Sequence, residues 1–126
     1  MKELLDIEKW NRRDHFLFYS QFSEPFFGVT VSVDCTEAYR KAKERGNSFY
    51  LYYLYRALKA ANSIENFRLE IESGQVFIHD SAGAGPTVDR PDETFGFAYM
   101  PFIEDEQEFY RAATAEIERV RNTSGL

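Results

Sequence analysis

The clearest pattern in the sequence is a strict alternation of apolar and polar residues over 27–33, FGVTVSV. A period of two combined with β-branched side chains predicts a β-strand with one buried face. Two further strands, Arg68–Glu72 and Gln75–His79, flank Ser73-Gly74, a dipeptide suited to a tight hairpin turn. After a segment rich in turn residues, another strand is predicted over Thr94–Phe102.

Four other segments repeat their apolar residues at the helical spacing of three and four positions. Gly46 ends the second of them, which Asp34 or Thr36 caps, and Asp105 opens the fourth, whose acidic start and basic end suit a helix dipole. The alternation of helices with hairpins indicates helices packed on a mixed, mostly antiparallel sheet. The four predicted helices are about Trp10 to Tyr19, Thr36 to Arg45, Ser48 to Asn62 and Asp105 to Arg121.

The third helical segment is apolar around most of its circumference. Its leucines follow the helical period, and the side with polar groups consists of Tyr52, Tyr55, Arg56 and Lys59. A helix of this kind is deeply buried in a fold or in an assembly. The dense aromatic residues from Phe49 to Tyr55 therefore indicate either core packing or a contact between subunits.

Composition limits the class of protein further. A chain of 126 residues with 12 Phe and 8 Tyr forms one domain with a hydrophobic core. Its net charge of −6 disfavours nucleic acid and anionic membrane surfaces as partners. No apolar stretch is long enough to span a bilayer, and the start lacks a signal peptide. Because Cys35 is the single cysteine, we expect a reducing, cytoplasmic location without disulfides.

General catalytic motifs are absent from the sequence. It contains no phosphate-binding loop, no His-Glu-x-x-His and no Gly-x-Ser-x-Gly. His15 lies in a charged helical segment, and His79 and Asp80 are strand neighbours that point to opposite faces. The thiolate of Cys35 is disfavoured by the adjacent Asp34. We therefore expect no metal site, and no nucleophile or base that the residues alone identify.

A specific pattern starts near the N-terminus. Residues 6–16, DIEKWNRRDHF, followed by Phe18-Tyr19, resemble the opening of chloramphenicol acetyltransferases, Trp-x-Arg-(Arg/Lys)-(Glu/Asp)-His-Phe. Shorter similarities to the same family follow in order along nearly the whole chain. They are Val29-Thr30 with Val33-Asp34-Cys35-Thr36, Ser48-Phe49-Tyr50, Asn66-Phe67-Arg68-Leu69, Val76-Phe77-Ile78-His79-Asp80-Ser81 and Asp92-Glu93-Thr94-Phe95.

This resemblance implies an α/β fold, a two-layer α+β sandwich that forms the N-terminal portion of the coenzyme A-dependent acyltransferase fold. It implies a homotrimer that transfers acetyl from acetyl-CoA to a hydroxyl of chloramphenicol or a similar small-molecule alcohol. In the family a histidine deprotonates the acceptor hydroxyl, and a serine hydroxyl stabilises the oxyanion.

The resemblance also assigns residues of this chain to a partial site. Arg12 corresponds to the arginine that pairs with an aspartate of the catalytic segment and supports that segment. The substrate-binding positions are Phe18, Tyr19, Phe27, Phe95 and Phe97, and Phe97 is larger than the family's usual residue there.

One family motif has no counterpart here. The catalytic signature His-His-x-x-x-Asp-Gly does not occur in this sequence. We therefore interpret 1–126 as a single domain of this family truncated at its C-terminus, with no catalytic residue present and no activity by itself. Two alternatives remain: a non-catalytic module that binds small molecules, and a dihydrolipoamide acyltransferase-type core.

Overall fold

Four α-helices and five short strands make up the chain, whose residues 1–126 are all described by a computed structural model. Two short 3-10 helices, Ile7–Lys9 and Glu65–Arg68, lie between them. In chain order the elements are β1 (Lys2–Leu4), α1 (Arg13–Tyr19), α2 (Thr36–Glu44), α3 (Phe49–Asn62), β2 (Leu69–Glu72), β3 (Gln75–His79), β4 (Thr87–Asp89), β5 (Phe95–Phe97) and α4 (Glu106–Arg121).

The first sheet has three antiparallel strands in the order β1-β3-β2. The predicted hairpin between β2 and β3 is confirmed, with Ser73 at φ 50° and Gly74 at φ 77°. Positive φ at both central residues is the geometry of a turn that matches the twist of the two strands. Strand β1 has only three residues, all exposed, so no alternation in the sequence marks it.

The second sheet is the antiparallel pair β4 and β5, in which Val88 lies opposite Gly96. The strand predicted over Thr94–Phe102 is therefore shorter, because only Phe95–Phe97 pairs with a neighbour. An isolated antiparallel bridge between Ala84, before β4, and Met100, after β5, extends the pairing of the two strands.

The most regular alternation in the sequence does not form a strand in this chain. Residues 27–33 belong to no strand, and their backbone makes no hydrogen bond to other backbone groups. The apolar side chains are 91% exposed at Phe27, 77% at Val29 and 72% at both Val31 and Val33. The prediction is wrong for the chain alone, because a strand requires a neighbouring strand and none lies beside this segment.

The predicted helices form with small differences in their ends. The first begins at Arg13 rather than Trp10, because Trp10 ends the short 3-10 helix in an extended conformation and a turn follows it. In α3 the Ser48 hydroxyl accepts a hydrogen bond from the Leu51 backbone N–H, and in α4 the Asp105 carboxylate accepts one from Glu108 at 2.8 Å. Both caps satisfy backbone donors that the first helical turn leaves free.

The hydrophobic core lies between α3, α4 and the β4–β5 hairpin. Phe109, Met100 and Val120 are almost completely inaccessible to solvent at its centre. Only 14 of the 126 residues are buried, and the N-terminal 41 residues contribute none of them. The first third of the chain is therefore held mainly by β1 and by local contacts.

The tyrosines of α3 differ in their exposure to solvent. Tyr52 and Tyr55 are buried, whereas Tyr53 is largely exposed. Burial is possible because the Tyr55 hydroxyl donates a hydrogen bond of 2.6 Å to the Glu104 carbonyl. The aromatic residues of α3 thus divide between the core and the surface.

A charged network joins α3 to α4 beside this core. Glu106 accepts hydrogen bonds from Arg56 at 3.1 Å and from the Tyr110 hydroxyl at 2.6 Å, and the Arg56 guanidinium lies over the Tyr52 ring. Burial and the neighbouring Glu106 carboxylate raise the pKa of Tyr110 to about 12. Burial opposes ionisation of Glu106, but the bonds from Tyr110 and Arg56 outweigh it and lower the pKa of that carboxyl.

No helix of the structure is both long enough and apolar enough to cross a membrane.

Candidate functional site

The aromatic positions predicted on the first helix lie together on the protein surface. The rings of Phe18 and Tyr19 have their centroids 5.1 Å apart in an edge-to-face arrangement. Phe22 completes a triangle, 5.3 Å from Phe18 and 5.4 Å from Tyr19. All three side chains are exposed, so α1 presents an aromatic surface to solvent. Aromatic side chains of this kind form a small-molecule site only where other residues enclose them, since ligand sites are concave.

The aromatic positions predicted on β5 form a second group. Phe95 and Phe97 are two residues apart on the strand and therefore project from the same face, with centroids 5.7 Å apart. Both are exposed, whereas Gly96 between them faces the buried Val120. The two rings lie edge to face on the solvent-exposed face of the β4–β5 hairpin.

The two aromatic groups do not meet in this chain. No ring of Phe18 or Tyr19 lies against a ring of Phe95 or Phe97. Phe27, the remaining predicted substrate contact, lies in the unpaired segment 27–33 and contacts no other ring. The five positions thus line open surfaces rather than one enclosed pocket, and their assignment to substrate binding stays a prediction.

Arg12, predicted to support a catalytic segment, is exposed at the start of α1 and its side chain makes no hydrogen bond or ion pair. The adjacent Arg13 differs, because its guanidinium lies 3.2 Å from the carboxylates of both Glu8 and Asp14. Arg12 therefore carries a charge without a counter-ion in this chain, whereas the charge of Arg13 lies between two carboxylates.

An open cavity of about 450 Å³ lies next to Phe95, between the turn after β4 and the last three residues of the chain. Arg90 forms its polar wall and donates hydrogen bonds to the carbonyls of Val120, Phe95 and Gly125 at 2.8 to 2.9 Å. Asp92 accepts bonds from the Thr94 hydroxyl and backbone N–H, and these hold the pKa of Asp92 below its ordinary value.

His79 lies outside both aromatic groups of predicted contacts, whereas His15 precedes Phe18 and Tyr19 by three and four residues on α1. His15 is exposed on α1 and makes no hydrogen bond through its ring. His79 has Nε2 2.7 Å from a carboxylate oxygen of Glu70, at an angle that does not suit a hydrogen bond, rather than near Asp80. Asp80 instead pairs with the N-terminal ammonium at 3.3 Å.

Glu70, Glu72 and His79 bring three ligand-type atoms within 4.8 Å of one another. The Lys2 ammonium contacts both carboxylate oxygens of Glu72, so a cation of the protein itself already balances part of this charge. Exposed groups of this kind are common in proteins without any metal, and the cluster gives no reason to assign a metal centre.

Sequence reasoning missed three residues near the predicted site. Phe22 could have been found from its spacing of four and three residues from Phe18 and Tyr19. Arg90 and Gly96 gave no comparable signal, because their contact depends on α4, which follows them by ten residues or more.

Comparisons with known proteins give one consistent result. A family model described as chloramphenicol acetyltransferase matches residues 2–126. A chloramphenicol acetyltransferase of Proteus mirabilis is 26% identical over 115 residues, which cover 90% of this chain and 53% of that protein. Chloramphenicol acetyltransferase 2 of Escherichia coli is 31% identical over 116 residues, covering 89% of this chain and 54% of that protein.

A solved structure titled chloramphenicol acetyltransferase has the same fold, with a TM-score of 0.91 and 33% identity. It matches 99% of this chain and 59% of its own chain. The chain therefore spans about half the length of the curated relatives it matches.

Proposed function

Because this chain belongs to the chloramphenicol acetyltransferase family, we propose that it is part of an enzyme that transfers acetyl from acetyl-CoA to an alcohol. The acceptor in this proposal is chloramphenicol or a similar small molecule. The observation that carries it is the structural match over 99% of the chain at a TM-score of 0.91, together with 33% identity.

In the proposed enzyme this chain supplies the binding surface for the acceptor. Phe18, Tyr19 and Phe27 offer apolar faces from the N-terminal third of the chain, and Phe95 and Phe97 offer them from β5. Their exposure in this chain agrees with a role in a surface that other residues complete. Acetyl-CoA, when bound, supplies the activated acetyl group.

Arg12 has a positioning role in the same proposal. Its guanidinium is free of partners and would pair with a carboxylate of the segment that carries the catalytic base. Such a charge-assisted pair fixes orientation as well as adding binding energy. Arg12 would therefore act on the reaction by holding that segment rather than by contacting the substrate.

We further propose that the complete protein is a cytoplasmic homotrimer and that residues 1–126 alone do not acetylate a substrate. His79 lies outside the groups of predicted substrate contacts, and the exposed His15 has no hydrogen-bond partner that would orient its ring as a base. Loss of a general base costs on the order of 10² to 10⁴ in rate, apart from the other missing contributions.

A chimera tests the function directly. Residues 1–126 would replace the matched segment of Escherichia coli chloramphenicol acetyltransferase 2, and coenzyme A release would be followed with chloramphenicol and acetyl-CoA. We expect activity that requires the chimera and is absent from the 126-residue chain. A chimera that folds, assembles like the parent enzyme and has no activity with chloramphenicol or related alcohols would contradict the proposal.

Variants of the chimera test the assigned residues. Phe27→Ala and Phe95→Ala should raise KM for the acceptor and leave KM for acetyl-CoA unchanged. Phe67→Ala is the matched control, because Phe67 is equally aromatic and exposed but lies outside the predicted site. Calorimetric titration of the 126-residue chain with chloramphenicol addresses the alternative of a binding module, which requires measurable binding without the rest of the enzyme.

A further inference from the structure

The side chain of Asn62 joins the end of α3 to the segment that precedes β4. Its Nδ2 donates hydrogen bonds of 2.8 Å to the carbonyls of Leu58 and Ala82, and its Oδ1 accepts one of 2.8 Å from the Ala82 backbone N–H. Asn62 thus satisfies both backbone groups of Ala82, as a neighbouring strand would. Both residues are half-buried, so water replaces these bonds less readily than it would at the surface.

A ladder of antiparallel pairs begins two residues after the position that Asn62 holds. Ala84 and Met100 exchange two backbone hydrogen bonds, of 2.9 and 2.8 Å, and the Ala98 N–H donates to the Pro86 carbonyl at 2.9 Å. The pairing of β4 with β5 continues the same ladder in the same register. Asn62 therefore fixes the chain immediately before the first pair of this ladder.

The register of the ladder decides which side chains of β5 and its continuation face the solvent. Gly96, Ala98 and Met100 are buried, and the exposed Phe95 and Phe97 alternate with them. Because side chains alternate between faces, a shift by one residue would exchange the two faces of the strand. Such a shift would turn both rings towards the core. The observed register is therefore a condition for presenting these rings to an acceptor.

The beginning of the ladder combines a weak pair with a close contact. The pair of Pro86 and Ala98 has one hydrogen bond rather than two, because proline has no N–H. Just before it, a Cβ atom on Gly83 would lie 2.7 Å from the Met100 carbonyl oxygen and 3.0 Å from the Tyr99 hydroxyl. The segment at Gly83 thus packs directly on the strand that follows β5, and a displacement of this segment would move that strand.

We propose that Asn62 is a positioning residue for acceptor binding, whose side chain fixes the start of the ladder and thereby the register in which β5 presents Phe95 and Phe97. This inference rests on the proposed function, because it concerns the surface that would receive the acceptor alcohol. Asn62 is not one of the predicted substrate contacts and acts through the position of β5.

Hydrogen exchange of the 126-residue chain tests the structural part of the proposal without any activity. Asn62→Leu keeps the approximate size of the side chain and removes its hydrogen bonds. We expect exchange at the amides of Ala84 and Met100 to become about tenfold faster or more, since their pairing opens more often. Asn122→Leu is the matched control, because Asn122 at the end of α4 bonds only to the carbonyl of Glu118, at 2.8 Å. Unchanged exchange at both amides in the Asn62 variant would overturn the proposal.

Asn62→Asp is a milder second variant, which keeps the test decisive if the leucine variant does not fold. A carboxylate can still accept the hydrogen bond from the Ala82 N–H, but it cannot donate to the Ala82 carbonyl. We expect a smaller acceleration of exchange at the same two amides. An acceleration confined to Ala82 itself would show that Asn62 does not hold the ladder.

The chimera described above tests the effect on acceptor binding. In it, Asn62→Leu should raise KM for chloramphenicol about fivefold and change KM for acetyl-CoA by less than about twofold, whereas Asn122→Leu should change neither. In a chimera that already carries Phe95→Ala and Phe97→Ala, Asn62→Leu should raise the acceptor KM no further, because residues that act through one another are not additive.

Three kinetic results would contradict the positioning role: an unchanged acceptor KM, an equal rise of KM for both substrates, or a full effect of Asn62→Leu in the absence of the two rings. Failure of the proposed function gives a different result, namely a folded chimera that is inactive with Asn62 in place. That result would remove the acetyl transfer and this role with it, whereas an active chimera that is insensitive to Asn62→Leu would remove only the role of Asn62.

Discussion

The side chain of Arg90 occupies the space beside Gly96 that any larger residue would require. A Cβ atom on Gly96 would lie 3.0 Å from Arg90 Cζ and 2.6 Å from Val120 Cγ1. Gly96 is itself buried, at the centre of β5. The absence of a side chain therefore allows the hairpin to pack directly against the end of α4.

Gly96→Ala should destabilise the chain by about 1 to 3 kcal/mol, the usual cost of forcing an extra carbon into a packed site. The Arg90 guanidinium cannot move away without breaking its hydrogen bonds to backbone carbonyls, and Val120 is held in the hydrophobic core. The measurement is the midpoint of urea unfolding relative to the parent chain. Gly85→Ala is the control, since a Cβ there meets no atom within 4 Å. Equal midpoints for both variants would contradict the steric role of Gly96.

Arg90→Ala should loosen the last residues of the chain. Three carbonyls lose a charged donor, and two of them, on Val120 and Gly125, belong to α4 and the tail after it. Losing such bonds costs about 1 to 3 kcal/mol where the acceptor stays away from water. Hydrogen exchange should rise around residues 120–126, whereas Arg121→Ala, whose guanidinium has only a 3.4 Å contact with Glu118, should leave exchange there nearly unchanged. Unaltered protection in the Arg90 variant would contradict this.

The sequence predicted correctly those elements whose geometry depends only on residues nearby in the chain. The Ser73-Gly74 turn and the Asp105 cap of α4 are examples, because their geometry depends on residues at most three positions away. Segment 27–33 has an equally clear signal but forms no strand, since pairing depends on a strand that this chain does not place beside it. An alternating pattern shows that a segment has the residues typical of a strand, but the segment forms a strand only where a neighbouring strand pairs with it.

In the candidate site too, the features that depend on nearby residues could be predicted, and the contacts between distant residues could not. The sequence placed Phe95 and Phe97 on one face of a strand, and the structure confirms that geometry. The contact of Arg90 with Gly96 and α4 was not predictable, because it joins residues up to 30 positions apart. The sequence placed Tyr55 on the side of its helix that carries polar groups, but it gave no sign that the hydroxyl bonds to the Glu104 carbonyl, 49 positions away.

Tyr55→Phe should lower stability by about 1 kcal/mol, because the Glu104 carbonyl loses its 2.6 Å donor while the ring packing stays unchanged. Tyr53→Phe is the matched control: it lies on the same helix, but its ring is exposed and its hydroxyl has no partner within the protein. The comparison of the two unfolding midpoints isolates the buried hydrogen bond from any general effect of removing a hydroxyl. Similar midpoints for the two variants would show that the bond adds nothing to stability.

Acid should unfold the chain in part through Glu116. Its carboxylate accepts hydrogen bonds from Arg119 at 2.7 and 2.8 Å and from the Tyr99 backbone N–H at 3.0 Å, and these lower the pKa of Glu116 to about 2. Because the folded pKa lies below the ordinary value of 4.5, the stabilisation is complete above about pH 4.5 and is lost as the pH falls towards 2. The loss is expected to be about 1 kcal/mol or less, since ion pairs near the surface are screened by water.

Glu116→Gln removes the charge of this side chain but keeps its shape, and the amide oxygen can still accept the Tyr99 hydrogen bond. Unfolding free energies measured between pH 2 and 7 should show the variant less stable than the parent at pH 6 and converging with it near pH 2. Glu118→Gln serves as the control, because the Glu118 carboxylate has only the 3.4 Å contact with Arg121, and its curve should run parallel to that of the parent. A Glu116→Gln curve that also ran parallel to the parent across the acid range would show that this carboxylate does not couple folding to pH.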